Sequence, residues 1–331
     1  MYYNEDCIVG AKLHLKDKSV DLIITDPPFA IDGDKLHKHY NRNEANVIVG
    51  YVEIPKNEYK DFSINWTQQA HRVLKDDGAM YVVSGWSNLL DILLALEHNN
   101  FEIINHMIWK YNFGVNTTKK YVTSHYHILY CKKQNRKKTK FNTHCRFGPN
   151  EKNGNGGSAL YSDLEDVWII NREYQSGKTK NKNQLPKELL KKIILYSSDE
   201  NDLICDFFLG SFSTAKVAKS LNRNSIGFEI NPIAFNYQIN QLEKIEYGDM
   251  LINLKKPEEN LYFNQGKSWS KDETNNLMNR YNDMKMKRIT NKKAFEILSE
   301  EFGRGRFSIL NIIKKHKDNH SKTKTSVQKT L

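Results

Sequence analysis

The 331-residue chain carries a formal charge of +11 and 39% apolar residues. This length accommodates one large α/β domain and a small accessory domain. A mean hydropathy of -0.69 and the lack of a long apolar run exclude a membrane-spanning helix. The first residues contain no signal core, and the four scattered cysteines lack metal-site spacing. We therefore expect a cytoplasmic protein without a structural metal.

The excess positive charge is concentrated near the C-terminus. Residues 267–331 contain 16 basic and 7 acidic residues, a net charge of +9. Such an imbalance is typical of an appended module that binds a polyanion. A solubilising, disordered basic tail has the same composition, so the charge alone leaves both interpretations open.

The first predicted elements are a short amphipathic helix within residues 4–20 and a buried strand at Leu22–Ile24. The motif Asp26–Phe29 (Asp-Pro-Pro-Phe) ends this strand, because proline cannot continue a ladder. It places a carboxylate, a rigid turn and an aromatic ring at the carboxyl edge of a sheet, where open α/β sheets bind ligands. Residues 30–60 are polar, with basic patches, and predict a mobile loop over that site.

Helices predicted at 62–74 and 88–98 then alternate with strands at 79–83, 103–109 and 127–131. This alternation favours an α/β fold with a largely parallel, helix-covered sheet. Residues 132–181 interrupt it with a glycine-rich loop and a basic cluster. The cluster contains Lys132, Lys133, Arg136, Lys137, Lys138 and Lys140. A charge run of this kind is, taken alone, more often a solvated face than a binding site.

A second motif follows a helix predicted from Pro186. A strand at 202–206 leads into the small-residue turn Gly210–Ser213, and a helix starts immediately afterwards. Glycine and serine allow a chain to pass close to a ligand, and helix N-terminal amides attract polar or anionic groups. The next strand ends at Glu229, and an acid at this distance binds ribose hydroxyls in dinucleotide folds. Taken alone, a tight structural turn explains the pattern about as well as an adenosine-type cofactor does.

The two motifs together, in this order, resemble the β-class of S-adenosylmethionine-dependent DNA amino-methyltransferases over roughly residues 4–245. The resemblance implies a Rossmann-like fold with a mostly parallel sheet, DNA as the substrate, and a target recognition region at about 132–181. It also implies a bacterial, archaeal or phage-type, nucleoid-associated protein with a possible homodimer, partner methyltransferase or restriction subunit. Within this framework the basic cluster becomes a candidate for DNA recognition.

The resemblance also implies roles for individual residues. Asp26 and the Pro27 carbonyl accept the two N–H groups of the target amine, Pro28 completes the turn, and Phe29 stacks on a base rotated out of the duplex. Aspartate at the first position of the motif favours adenine N6 over cytosine N4. The cofactor-binding residues implied are Asp6, Cys7, Asp26, Asp206, Phe208, Gly210, Ser211, Ser213, Glu229 and Asn231.

Two positions depart from the family pattern. Phe212 stands where the family has the second glycine of Gly-Ser-Gly-Thr-Thr, which opposes a close backbone approach there. Leu185 stands where the family has a lysine before the helix proline. These departures suggest one alternative, a non-catalytic DNA-binding relative. A cytosine-N4 or RNA amino-methyltransferase, which shares the catalytic core, is the second alternative left open.

The proposed domains are a catalytic domain at 1–250, a linker at 251–267, a three-helix domain at 268–317 and a disordered basic tail at 318–331. A capping box at Ser270–Glu273 starts the first helix, and Gly303 ends the second. The third helix is predicted to direct Phe307, Leu310 and Ile313 inward. The cations predicted to face outward are Arg304, Arg306, Lys314, Lys315 and Lys317. The unit resembles a Myb/SANT-type helix-turn-helix, which is either a DNA-binding or a protein-packing module.

Overall fold

The computed structural model describes residues 1–28, 54–112, 114, 118–135, 138–148, 151–173, 184–251, 262–264 and 267–327. The chain divides into two compact units, Met1–Lys256 and Pro257–Leu331. Phe29, most of the loop predicted at 30–60 and most of the predicted linker lie outside the described residues. None of the helices in the described ranges is both long and apolar enough to cross a membrane.

The first unit contains a sheet whose described strands follow the order β1-β8-β7-β2-β3-β5-β4-β6. Its strands are β1 (Tyr2–Tyr3), β2 (Val20–Thr25), β3 (Leu74–Ser84), β4 (Phe101–Lys110), β5 (His125–Lys133), β6 (Val167–Ile169), β7 (Leu203–Asp206) and β8 (Asn224–Phe228). β5 runs antiparallel to β3 and β4, and the remaining pairs are parallel. The predicted, mostly parallel α/β sheet is therefore confirmed. β1 and β6 were not predicted, because strands of two or three residues carry too little pattern.

Helices cover both faces of this sheet. They are α1 (Cys7–His14), α2 (Tyr59–Val73), α3 (Leu89–His98), α4 (Ala159–Asp163), α5 (Lys187–Ser197), α6 (Ser213–Ser220) and α7 (Pro232–Glu243). Trp66 of α2 and Ile92 of α3 belong to the apolar core on one face. Leu189 of α5 and Val217 of α6 belong to the core on the other face. A sheet buried on both sides needs apolar strands, which explains the continuous run Leu22–Ile24.

The pairing of β2 with β7 fixes the position of the two sequence motifs. Leu22 pairs with Ile204, and Ile23 pairs with Cys205, in parallel register. Because parallel strands end at the same edge, the residues that follow β2 and β7 are neighbours there. The predicted meeting of the two motifs at adjacent strand ends is confirmed.

The second unit contains α8 (Lys271–Met286), α9 (Asn291–Phe302) and α10 (Arg306–Val327). The predicted capping box is present, with Ser270 and Glu273 exchanging hydrogen bonds at the start of α8. α10 continues to Val327, beyond residue 318 where the disordered tail is predicted to begin. Its inward face also differs from the prediction, because Ile309 is fully buried whereas Phe307 is 51% exposed.

The predicted outward orientation of Arg304 is wrong. Its side chain is 4% exposed and forms two hydrogen bonds, each of 2.8 Å, with the Glu273 carboxylate. It also donates to the carbonyls of Lys267 and Ser268, and its guanidinium lies 4.4 Å from the Trp269 ring centroid. Arg304 therefore joins the start of α8 to the turn after α9, and its charge is compensated within the unit.

Candidate active site

Asp26 follows β2 at the carboxyl edge of the sheet. Its Oδ1 is buried and has no hydrogen-bond partner among the residues described. Burial and the charge of Asp206 raise the pKa of Asp26 well above its usual value, and Arg172 acts in the opposite direction. A buried carboxylate oxygen without a donor is costly, and such costs are concentrated at functional sites. Asp26 is thus suited to accept a donor from a ligand.

Asp206 ends β7, beside Asp26, and its Oδ1 is hydrogen bonded within the protein. It accepts the Phe208 amide at 3.0 Å and the Thr25 hydroxyl at 3.3 Å. Burial, as the largest cause, raises the pKa of Asp206 to about 6. The two carboxyl groups therefore lie in one low-dielectric environment, where simultaneous ionisation is opposed.

Glu229 connects the turn after β7 to the end of β8. Its Oε2 accepts the Gly210 amide and its Oε1 accepts the Asn231 amide, both at 2.8 Å. Each carboxylate oxygen has two lone pairs, so a further acceptor position remains on each for a ligand hydroxyl. Gly210 has a φ of +48°, a left-handed conformation that glycine adopts at little cost.

The N-terminal segment adjoins this site through β1, which pairs with β8. Asn4 donates its side-chain amide to the Glu229 carbonyl at 2.7 Å. Asp6 Oδ1 caps α1 by accepting the amides of Ile8 and Val9. Cys7 is buried, and burial with the nearby Asp6 raises the pKa of its thiol well above the usual value. Asn231 caps α7 in the same way that Asp6 caps α1.

Phe212 keeps the backbone conformation that a glycine would adopt. Its φ is 58° and its ψ is 25°, and its amide donates to the Leu209 carbonyl at 2.7 Å. The side chain is fully buried, with ring-centroid distances of 5.4 Å to Tyr2 and 5.7 Å to Phe235. A left-handed conformation costs an L-residue about 1–2 kcal/mol, which burial of a phenyl ring offsets. The turn Gly210–Ser213 therefore keeps its backbone conformation with phenylalanine in place of the family's glycine.

Leu185, the second departure, is 6% exposed and packs in the core near α5. A cation reaches the turn from α6 instead: Lys216 Nζ donates to the Ser211 carbonyl at 2.9 Å and to Gln238 Oε1 at 2.6 Å. Burial, with a smaller contribution from Lys187, lowers the pKa of Lys216 to about 8. Sequence reasoning did not identify Lys216, which has the spacing of an ordinary amphipathic helix.

Arg172 is a second residue that sequence reasoning did not identify. It follows β6 within the predicted target recognition region. Its Nη2 donates to the Tyr126 hydroxyl at 2.9 Å, and its Cζ lies 4.2 Å from the Tyr111 ring centroid. Because β6 and β4 run in the same direction as β3 and β2, Arg172 follows its strand at the same edge of the sheet as Asp26. One arginine in a polar segment has no spacing that distinguishes it from its neighbours.

The basic cluster 132–140 starts at the opposite edge. β5 runs antiparallel to β3, with Ser84 paired to His127 and Met80 paired to Cys131, so Lys133 lies beside the beginning of β3. Three of its lysines form ion pairs with acids. The Nζ–carboxylate distance is 3.2 Å for Lys132–Glu102 and 3.8 Å for Lys133–Asp76. Lys140 pairs with Asp199 at 3.0 Å and with Asp202 at 2.5 Å. Lys138 is exposed, and Arg136 and Lys137 lie outside the described residues. Lys133 is buried rather than part of a solvated face, and the pairing of these lysines with acids opposes DNA recognition beside Asp26.

A helix-covered sheet with an acid, a glycine turn and a second acid at neighbouring strand ends defines an α/β methyltransferase-type site. The DNA methylase family of N6/N4 methyltransferases matches residues 20–241, and the chain belongs to this family. It is 31% identical to the type II methyltransferase M.HpaI of Haemophilus parainfluenzae, covering 67% of this chain and 68% of the relative. It is 29% identical to the DNA adenine methyltransferase YhdJ of Escherichia coli (strain K12), covering 69% and 82%.

The fold of the first unit is also similar to that of a solved methyltransferase. The PvuII DNA methyltransferase (cytosine-N4-specific) superposes with a TM-score of 0.54 at 16% identity, covering 74% of this chain and 90% of that chain. The chain is therefore a DNA methyltransferase, and S-adenosylmethionine is its methyl donor. The free acceptor positions on Glu229 and the open left-handed turn at Gly210 fit such a cofactor.

Proposed function

We propose that the chain transfers a methyl group to the exocyclic N6 amine of adenine in specific DNA sequences. The proposal depends most on the buried Asp26 Oδ1, which lacks a donor among the described residues and follows the strand that pairs with β7, the strand before the Gly210–Ser213 turn. The aspartate of the Asp-Pro-Pro-Phe motif and the likeness to a DNA adenine methyltransferase support adenine as the target.

The target amine is a weak nucleophile because its lone pair is delocalised into the base. Asp26 and the Pro27 carbonyl accept its two N–H groups, which favours a pyramidal nitrogen with an available lone pair. Orientation of this lone pair toward the methyl carbon then contributes much of the rate. Phe29 stacks on the extruded base, an interaction worth about 1–3 kcal/mol.

Glu229 would hold the ribose hydroxyls of the cofactor, and its methionine portion would be surrounded by Asp206, Phe208, Gly210, Ser211 and Ser213. Bound there, the cofactor would supply an electrophilic methyl group whose transfer to nitrogen leaves the electron pair of the broken S–C bond on sulfur. The extra proton on nitrogen passes to Asp26, whose raised pKa makes it a suitable acceptor.

The second unit is proposed to bind DNA through the exposed cations of α10, namely Arg306, Lys314 and Lys315. Phosphate contacts by such residues give an affinity that falls steeply with salt. Arg304 is not part of this surface, because its charge is compensated by Glu273. The homodimer or partner subunit implied by the resemblance remains a prediction, which sedimentation of the full chain tests.

The test is transfer of a labelled methyl group from S-adenosylmethionine to duplex DNA of varied sequence, with RNA assayed in parallel. We expect incorporation into DNA alone, and loss of that incorporation in Asp26→Ala. Incorporation into RNA alone would show that the substrate is RNA and not DNA. An inactive wild-type chain that still binds DNA would support the non-catalytic alternative.

A further inference from the structure

A large aromatic side chain is exposed to solvent beside the end of the strand that carries Asp26. β2 pairs with β3 in parallel, with Thr25 opposite Val82, so the two strands end next to each other. Trp86 follows β3 by two residues and is 80% exposed. Tryptophan is mostly buried in folded proteins and is enriched at contact surfaces. Its exposure at the reactive edge of the sheet therefore indicates a surface that a partner covers.

Three histidines of β4 and β5 lie beside Trp86. The ring centroid of His127 is 6.3 Å from that of Trp86, and its Nδ1 forms a hydrogen bond of 2.8 Å with His106 Nε2. The His125 ring packs edge-on against His127 at a centroid distance of 5.2 Å. Burial, as the largest cause, lowers the pKa of His127 to about 4, so this ring is neutral near pH 7. His127 thus supports the tryptophan by packing and not by charge.

The same surface continues along the hairpin that joins β4 to β5. Lys110, at the end of β4, pairs with His125, at the start of β5. Side chains alternate along a strand and paired residues share a face, so Lys110, His125 and His127 lie on one face of the sheet. Beyond the strands, the Tyr111 amide donates to the Ser124 carbonyl at 3.0 Å. The hairpin therefore extends past the end of the sheet.

A close contact between its two arms shapes the hairpin outside the sheet. A Cβ atom at Gly114 would lie 2.1 Å from Val122 Cγ1 and 2.9 Å from the Thr123 carbonyl oxygen, so a larger residue does not fit there without a shift. Lys120 and Tyr121 come directly before this contact in the returning arm, and both are exposed, Tyr121 to 99%. A cation and a second aromatic ring are thus presented to solvent by a packed hairpin.

The charge of this surface has one sign. Residues 103–127 contain three lysines and no acidic residue. Lys110 and Lys120 form no ion pair with any residue in the described ranges, in contrast to Lys132 and Lys133, which are paired with acids. Their charge is therefore available to an external anion. Lysines beside exposed aromatic rings suit a partner with phosphates and flat bases, which is a nucleic acid rather than a protein.

The order of the strands places this surface within reach of DNA bound at Asp26. β2, β3, β5 and β4 are consecutive in the sheet. Neighbouring strands are about 4.8 Å apart, so the end of β4 lies about 14 Å from the end of β2. Since duplex DNA rises about 3.4 Å per base pair, this distance corresponds to about four base pairs. A duplex with its target base at Asp26 therefore covers the surface with the flanking base pairs.

We propose that Trp86, Tyr121, Lys110 and Lys120 form a DNA-contact surface that flanks the target base. The inference rests on the proposed function, because it takes the base bound at Asp26 as its reference point. Trp86, on the strand next to β2, stacks on a base that is left without its neighbour when the target rotates out of the duplex. Lys110 and Lys120 contact phosphates farther along the duplex, and Tyr121 contacts the DNA beside them.

The first test measures binding of the full chain to a fluorescein-labelled duplex with one mismatched adenine, which is easily extruded. Fluorescence anisotropy is recorded over a range of salt concentrations. Trp86→Ala should weaken binding about tenfold, the loss expected for one stacked base, with an unchanged slope of log affinity against log salt. Trp86→Phe keeps a stacking ring and should bind nearly as the wild type does. Lys110→Ala/Lys120→Ala should reduce the slope by about 2.

The matched control is Lys12→Ala/Lys16→Ala, which removes two exposed lysines from the segment that leads into the start of β2, at the opposite edge of the sheet. It should keep the wild-type slope. Unchanged affinity in Trp86→Ala, or an unchanged slope in Lys110→Ala/Lys120→Ala, would overturn the proposal. A change of sedimentation coefficient in Trp86→Ala with wild-type DNA affinity would also overturn it, and would assign Trp86 to a protein interface.

Photocrosslinking locates the surface without depending on methylation. The same duplex, with 5-iodouracil next to the mismatched adenine, is irradiated with the full chain, and the adducts are identified by mass spectrometry. We expect adducts at Trp86 or Tyr121. Adducts confined to other residues would overturn the inference even if the wild-type chain methylates DNA. Adducts at Trp86 in a chain that methylates nothing would instead contradict the proposed function and leave the DNA-contact surface in place.

Discussion

The carboxylates at the ends of the three neighbouring strands β8, β7 and β2 differ in how completely the protein satisfies them. Asp206 and Glu229 accept backbone amides, and these bonds shape the turn after β7 before any ligand binds. Asp26 Oδ1, after β2, is buried without a donor among the described residues. The difference indicates that the cofactor side is preorganised, whereas the amine side is completed by the substrate.

Removing the charge at the unsatisfied acid should have the largest effect. Asp26→Asn keeps the size of the side chain but cannot accept a proton. We expect kcat to fall about 10²–10⁴-fold, the usual range for a lost acid–base group. S-adenosylmethionine affinity, measured by calorimetry, should change less than threefold. A variant that retains the wild-type rate would contradict the assignment of Asp26 as the acceptor of the target amine.

Substitutions of Phe212 test how its buried ring and left-handed backbone contribute to the stability of the turn on the cofactor side. Phe212→Ala should lower the free energy of unfolding by about 3–5 kcal/mol, since a buried ring is removed. Phe212→Gly leaves the same cavity but removes the left-handed strain, so it should be about 1–2 kcal/mol more stable than Phe212→Ala. Denaturant unfolding measures both values. An alanine variant as stable as the glycine variant would contradict the strained conformation.

Glu229→Gln removes a carboxylate from the cofactor side of the site. The Gln amide presents a donor to one of two backbone N–H groups, so one charged hydrogen bond worth about 1.5–3 kcal/mol is lost. S-adenosylmethionine affinity should fall about 10–100-fold. Glu243→Gln, at the exposed end of α7, is the matched control and should bind as the wild type does. Equal affinities for the two variants would remove Glu229 from the cofactor site.

The same contrast exists in the second unit, between the compensated Arg304 and the exposed Lys314 and Lys315. Lys314→Ala/Lys315→Ala in the full chain should weaken DNA binding and reduce the slope of log affinity against log salt by about 2. The control Lys271→Ala/Lys292→Ala removes two exposed charges from α8 and α9 and should leave the slope unchanged. Equal slopes for the two variants would favour a protein-packing role for the unit.

Much of the fold and the meeting of the two motifs could be predicted, because local signals carry them. The apolar run of β2 and the prolines after Thr25 define a strand end, and parallel strands share an edge. Strand register then requires that Asp26 and Asp206 be neighbours.

The remaining features depend on tertiary contacts that no local pattern encodes. Arg172 gains its position from Tyr111 and Tyr126, which are far from it in sequence. Arg304 was assigned to the surface because charged side chains usually are, but Trp269 and Glu273 provide a partner in the interior. In α10, helical spacing alone did not determine which residues face inward.

The central claim is that Asp26 accepts the N6 amine of an extruded adenine. The most direct measurement is identification, by mass spectrometry, of the methylated nucleoside that the wild-type chain forms in duplex DNA, with Asp26→Asn in parallel. The account predicts N6-methyladenine from the wild type and almost none from the variant. N4-methylcytosine as the product, or equal yields of N6-methyladenine from both chains, would contradict it.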